Sequence, residues 1–224
     1  MNPIVVEATH KMKALEENVS CRKYSITGEV RKISSKLFRQ IDDKSAENIL
    51  AICEELLNER TWAFGVIAFD FAYRIRNHYN ESTYDIFYHW LKDYVRGWGD
   101  CDDFCTHTFG ELLRQKKSLF VKTITWTEDP DFWVRRASAV ILIPSILKND
   151  YERINPFTIS DRLMFDEQML VLKGYGWMLK ALSQVNPLCV KEYLIKNCKK
   201  MPRIAYRYAL DKFDDETRTA LLQM

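Results

Sequence analysis

The chain has 224 residues, 47% of them hydrophobic and 29% charged, with 7 Gly and 6 Pro. That length buries a substantial core, and the low Gly and Pro content excludes collagen-like and low-complexity chains. No apolar run approaches the roughly eighteen residues of a membrane-spanning helix. The start Met1-Asn2-Pro3-Ile4-Val5-Val6-Glu7 also lacks the basic and apolar regions of a signal peptide, so a cytoplasmic protein without membrane association is expected.

Taken in order, nearly every segment predicts a helix separated from the next by a short polar connection. Residues 4–17 place Val5, Ala8, Met12 and Leu15 near a helical period. Ser25 to Gly28 reads as a turn, and Val30, Ile33, Leu37, Phe38 and Ile41 form a second stripe. Ser45 is an expected N-cap for the helix carrying Ile49, Leu50, Cys53, Leu56 and Leu57. Thr61 to Ile75 is apolar on most sides, Trp62 included, and predicts an interior helix. Ser82 is expected to open the next helix and Gly97 to close it as a C′ residue. Phe104, Thr108, Leu112 and Leu113 predict one continuous helix to about Lys116. Residues 118–126 are rich in β-formers, but a lone strand has no pairing partner, so a helix is expected there too.

Asp129-Pro130-Asp131 should start a helix with Pro near N1 and a buried stripe of Trp133, Val134, Ala137, Val140 and Ile141. The 3.6-residue period puts Arg136 about 100° from that stripe, at the core margin, with Arg135 nearly opposite. Arg136 there either bonds the acids of a neighbouring turn or is held ready for a ligand. Tyr151 to Leu163 reads as a longer connection. Phe165, Met169, Leu172, Gly176 and Leu179 form the next expected stripe. Lys173, Trp177 and Lys180 stand at i, i+4 and i+7, with Gly174 and Gly176 beside them. Glycine in a helix interior costs about 1 kcal/mol relative to Ala, so either a neighbouring helix or a ligand must approach closely. Asn186-Pro187 opens a helix to Asn197, Pro202 opens another, and Asp211 to Met224 closes the sequence.

The net charge of +2 is unremarkable as a total, but its distribution is uneven: residues 173–207 carry +7, leaving −5 elsewhere. Such a block suits either a polyanion or a solvated helical face. The 6 Cys are dispersed through apparently helical segments, which suits reduced thiols. Cys101, Cys105 and His107 lack a fourth ligand at a zinc spacing, so no metal is expected. The acidic stretch is Gly97-Trp98-Gly99-Asp100-Cys101-Asp102-Asp103, with three acids in four positions. A helix start capped by Asp100 accounts for them structurally, and a cationic ligand accounts for them functionally.

Short paired helices without strands predict an all-α fold, an α-solenoid or superhelix of degenerate HEAT-like repeats forming one domain over 1–224. Asp131-Phe-Trp-Val-Arg-Arg-Ala137 has the look of such a repeat. At three motifs the chain resembles the DNA alkylation repair proteins, the AlkD-like HEAT-repeat alkylpurine DNA glycosylases. Trp98-Gly-Asp-Cys-Asp102 is similar to W-D-x-V-D, Trp133-Val-Arg-Arg136-Ala to W-x-x-R-A, and Lys173-Gly-Tyr-Gly-Trp177-Met-Leu to R/K-x-x-G-W-x-L. The resemblance runs from about Ser25 to Phe213, with departures at Gly99 and Cys101. It implies a catalytic Asp102, aromatic walls from Trp98 and Trp177, and Arg136 in the active site, all four on one concave surface. It further implies a monomer acting without cofactor on double-stranded DNA with alkylated purines. Lys173, Lys180, Lys199, Lys200 and Arg203 would follow the strand. Two other readings are a non-catalytic module for bent or branched DNA and a HEAT-type protein scaffold.

Overall fold

The computed structural model describes residues 2–19 and 26–224, and every regular element among them is helical. The chain divides into two compact units, Met1–Thr108 and Phe109–Met224. The first contains α1 (Pro3–Val19), α2 (Ile26–Gln40), α3 (Ala46–Leu57), α4 (Trp62–Arg74), α5 (Glu81–Asp93) and α6 (Trp98–Thr106). At the boundary α7 (Thr108–Gln115) begins. The second unit continues with α8 (Phe120–Thr125), α9 (Phe132–Val140), α10 (Ile143–Leu147), α11 (Pro156–Leu163), α12 (Met169–Val185), α13 (Pro187–Asn197), α14 (Arg203–Ala209) and α15 (Asp215–Leu222). No helix among the described residues is long and apolar enough to cross a membrane.

In the first unit α4 is the interior helix that its composition predicts, burying Phe64, Val66, Ile67, Phe69 and Phe71. Aromatic packing ties α6 to this core. Phe104 stacks on Phe69 at 4.4 Å between ring centroids, and meets Phe87 edge-on at 5.5 Å and Trp90 at 6.1 Å. Such pairs add about 0.5–1.5 kcal/mol each beyond the area they bury. In the second unit α12 is the central element and packs against α9, α10, α11, α13 and α14. Its Tyr175, Met178 and Leu179 are wholly buried.

Several helix ends fall where the local signals place them. Ser45 caps α3 by accepting from Asn48 N, and Asn186 caps α13 by accepting from Cys189 N, each at 3.4 Å. Residues 117–128 form α8 flanked by 3₁₀ turns, so the β-rich stretch is helical as expected. Other ends move. Ile26, Thr27 and Gly28 lie in the first turn of α2 rather than in a turn between helices, while Ser25 lies outside the described residues. Asn80, not Ser82, opens α5, because Asn80 and Thr83 make a reciprocal capping box that outcompetes a serine hydroxyl. Gly97 does not close α5, which ends at Asp93. It is the N-cap of α6, with φ −142°.

The helix expected through 104–116 is broken at His107, where φ −118° and ψ −83° leave the helical region. Asp131 is the N-cap of α9, which leaves Pro130 just outside the helix. The supposed connection 151–163 contains α11, started by Asn155 with Pro156 at its first position. Phe165 and Met169 are exposed, so the stripe of α12 begins later, at Val171. Phe165 precedes the helix and Met169 is its first residue, so neither has a fixed place among the buried positions of its face.

The two glycines of α12 admit neighbouring parts of the same unit. A Cβ at Gly176 would come within 2.8 Å of Ala205 O and of Tyr208 Cβ on α14, and one at Gly174 within 3.2 Å of Arg136 Cγ. Gly176→Ala should therefore destabilise the protein by about 1–3 kcal/mol through overpacking. Gly28→Ala, where nothing lies within 4 Å, should be neutral or raise stability; the expected gain is at most about 1 kcal/mol. Thermal unfolding of the two variants checks this, with a lower Tm expected for Gly176→Ala and an unchanged or higher one for Gly28→Ala.

Candidate active site

Two tryptophans occupy first helical positions, Trp62 in α4 and Trp98 in α6. Side chains on a helix lean toward its N-terminus, so a ring at the first position projects past the helix end with no preceding turn to cover it. Trp98 is accordingly 65% exposed and Trp62 37% exposed. Trp62 was expected in the interior. Its place at the first helical position was the signal that it would not be.

The acidic cluster separates into three environments. Asp100 is not the N-cap but the third residue of α6, and its carboxylate folds back to accept from Arg96 N at 3.4 Å. Burial raises its pKa, against the lowering effect of those backbone hydrogen bonds. Asp103 turns to the Arg31 guanidinium and to His107 Nδ1, the latter at 3.2 Å. Asp102 lies one turn beyond Trp98 on the same side of the helix. It is partly exposed, and its carbonyl accepts from Thr106 Oγ1 at 2.7 Å. The adjoining side of α6, carrying Cys101, Phe104 and Cys105, is wholly buried. The partners of the three acids differ, although Asp100 and Asp103 line one cavity and Asp103 still adds to the rise of the Asp100 pKa.

Thr27, Arg31, Trp62, Val66 and the α6 residues Gly97, Trp98, Gly99, Asp100 and Asp103 line a cavity of about 470 Å³. Asp102 is not among its lining residues. Trp62 and Arg31 are therefore site neighbours that the sequence reading did not select.

The second unit holds the other expected site residues. Arg136 lies deeper than the helical wheel placed it: it is 5% exposed, and its guanidinium donates to Leu170 O in the first turn of α12. Gly174 makes room for it. Arg135 points elsewhere, as expected, and pairs with Asp166 at 2.6 Å. Lys173, Trp177 and Lys180 share the half-exposed side of α12, opposite Tyr175 and Met178. Lys180 pairs with Asp211 at 2.6 Å. Lys199, Lys200 and Arg203 are exposed around the start of α14. Arg203 also lines a cavity of about 360 Å³ with Arg207 and Arg218, which widens the basic surface beyond the residues first selected.

Residues 20–213 match the family described as DNA alkylation repair enzyme, and the chain belongs to that family. A solved structure described as a predicted DNA alkylation repair enzyme from Enterococcus faecalis has the same fold, with a TM-score of 0.69 at 18% identity. The alignment covers 96% of this chain and 97% of that one. No curated protein matches significantly.

Two predictions concern these side chains. Asp103 raises the His107 pKa above its ordinary 6.5 by hydrogen bonding, with burial opposing. The stabilisation is fully present below the unfolded-state value and is lost as pH rises through the folded-state value. Tm should therefore fall as pH climbs from below 6.5 through the raised His107 pKa, and His107→Gln should flatten that slope. Arg136→Ala should lower stability by about 2–4 kcal/mol, because it removes the guanidinium's hydrogen bond to Leu170 O and leaves a void beside Gly174. Urea unfolding of the variant measures it.

Proposed function

We propose that this protein is a DNA glycosylase that hydrolyses the N-glycosidic bond of N3- and N7-alkylated purines in duplex DNA, its helices forming degenerate HEAT-like repeats. The observation that carries the reading is the pairing on α6 of a tryptophan exposed to 65% with a partly exposed Asp102 one turn away, inside the residues that match the family. An alkylated purine bears a positive charge and leaves as a neutral base, taking the bonding electrons. The sugar left behind has oxocarbenium character, the kind of cation that glycosidases stabilise with a carboxylate. Asp102 would stabilise that charge and orient the water that adds to the anomeric carbon, the water's proton passing to solvent or to the carboxylate. Trp98 would offer its electron-rich face to the cationic nucleotide, at about 0.5–2 kcal/mol, and Trp177 would do the same from α12.

Lys173, Lys199, Lys200 and Arg203 supply phosphate contacts, with Lys180 shared between DNA and Asp211. The burial of Arg136 gives it a different part: it holds the start of α12, and with it Lys173 and Trp177, in position. No step calls for a metal or an organic cofactor.

Release of 7-methylguanine and 3-methyladenine from methylated duplex DNA tests the reading. Asp102→Asn should slow release by about 10²–10³-fold while leaving DNA affinity nearly unchanged. Changing Lys199 and Lys200 together to Ala should weaken binding to all sequences alike and reduce the salt slope by about two. A second reading is favoured by Gly99 and Cys101, which depart from the family's motif beside Asp102: a DNA-binding protein without excision. Salt-sensitive binding by wild type and variant alike, with no base released by either, would establish that second reading instead.

A further inference from the structure

The cavity of about 360 Å³ in the second unit lies between α14 and α15. Its lining is Arg203, Arg207, Leu210, Asp211, Arg218 and Leu222, with three guanidinium groups and one carboxylate, a formal +2. That carboxylate is already engaged. Asp211 pairs with Lys180 of α12 at 2.6 Å, so a cation from outside the lining offsets its charge. Arg207 is exposed and has no hydrogen bond or ion pair among the described residues. Arg203 is held in place rather than neutralised: its guanidinium lies 5.3 Å from the Tyr206 ring centroid and donates to Leu222 O at 3.2 Å. A guanidinium has five N–H donors, so Arg203 keeps most of its capacity. Arg218 pairs with the exposed Asp215 on its own helix, and a surface pair of that kind is worth little against a better acceptor. Three cations around one concave space repel each other, and an anion placed among them relieves that cost.

We propose that this cavity binds the terminal phosphomonoester of a nucleotide, its oxygens shared among Arg203, Arg207 and Arg218 and its sugar and base against Leu210 and Leu222. The lining selects this anion over others. A phosphomonoester carries about −1.5 to −2 at pH 7 and presents three strong acceptor oxygens, which matches the charge and the number of the guanidinium groups. A backbone diester carries a single charge. Arginine forks bond phosphate oxygens two at a time. The volume lies in the range of small-molecule sites, and the two leucines give the organic part of the ligand an apolar wall. The nucleotide is either free or the end of a DNA strand, since both present the same group. Lys180 stands on the side of α12 that carries Lys173 and Trp177 and reaches Asp211 in the lining, so a strand lying along that side has its end within reach of the cavity. The site is independent of the glycosylase reading.

The test is calorimetric titration of the full-length protein with 2′-deoxyadenosine 5′-monophosphate, with its methyl phosphodiester and with 2′-deoxyadenosine. The monoester should bind saturably and at least about tenfold more tightly than either of the others. Arg207→Gln and Arg218→Gln should each weaken monoester binding about tenfold, while Arg207→Lys retains part of it. Changing Lys191 and Lys196 together to Gln removes more charge from the same basic block but outside the lining, and should leave monoester binding unchanged. Circular dichroism and Tm establish that each variant is folded. Equal affinity for monoester and nucleoside overturns the proposal, and so does unchanged binding in folded Arg207→Gln. An equal loss in the Lys191 and Lys196 variant also overturns it, because the general field and not the cavity would then hold the anion. Duplexes with and without a 5′-phosphate identify the source. A preference for the phosphorylated duplex that Arg207→Gln removes supports the site as a receptor for strand ends, and monoester binding without that preference supports it as a receptor for free nucleotide.

Discussion

The burial of Phe104 sets the orientation of everything that matters on α6. This ring is wholly buried against Phe69, Phe87 and Trp90, drawn from α4 and α5. A helix of nine residues has little stability of its own, so its rotation is fixed by the apolar residues it buries. With Cys101, Phe104 and Cys105 inside, the helical period leaves only one arrangement for the rest. Trp98, Asp100 and Asp103 border one cavity, Asp102 lies outside its lining one turn beyond Trp98, and Asp103 also pairs with Arg31 and His107. Rotate the helix by one residue and a carboxylate would enter the core.

The same constraint resolves the crowding of the three acids. In sequence they look like mutual repulsion that must be relieved by one common partner. In the folded chain no common partner is needed. Asp100 bonds backbone at the helix start, Asp103 has a guanidinium and an imidazole, and Asp102 is left partly exposed beside Trp98. The second unit applies the principle in reverse. Gly174 and Gly176 remove side chains so that Arg136 and α14 can come close, and the half-exposed side of α12 then carries Lys173, Trp177 and Lys180.

Much of the architecture is legible in the sequence because helical periodicity is a local property. Val5, Ala8 and Met12, or Ile49, Cys53 and Leu56, announce which side of their helix is buried, and the structure buries them. Helix ends were less legible where two capping residues compete, as Asn80 and Ser82 do, or where one glycine suits both the end of one helix and the start of the next, as Gly97 does. The break at His107 had no signal in the apolar pattern, since Phe104 and Leu112 fit one continuous stripe as well as two.

Sequence by itself determined that the chain is helical, that its basic charge is concentrated in 173–207, and that three motifs align with the DNA alkylation repair family. The first follows from residue spacing, the second from composition, and the third from a resemblance to known motifs. Only the tertiary structure decided that Trp62 is exposed, that Arg136 is buried against α12, and that Asp100 and Asp103 line a cavity whose lining leaves Asp102 out. The reason is physical: exposure and pairing depend on which distant side chains arrive, such as Arg31 at Asp103 or Gly174 at Arg136, and no local period encodes that arrival.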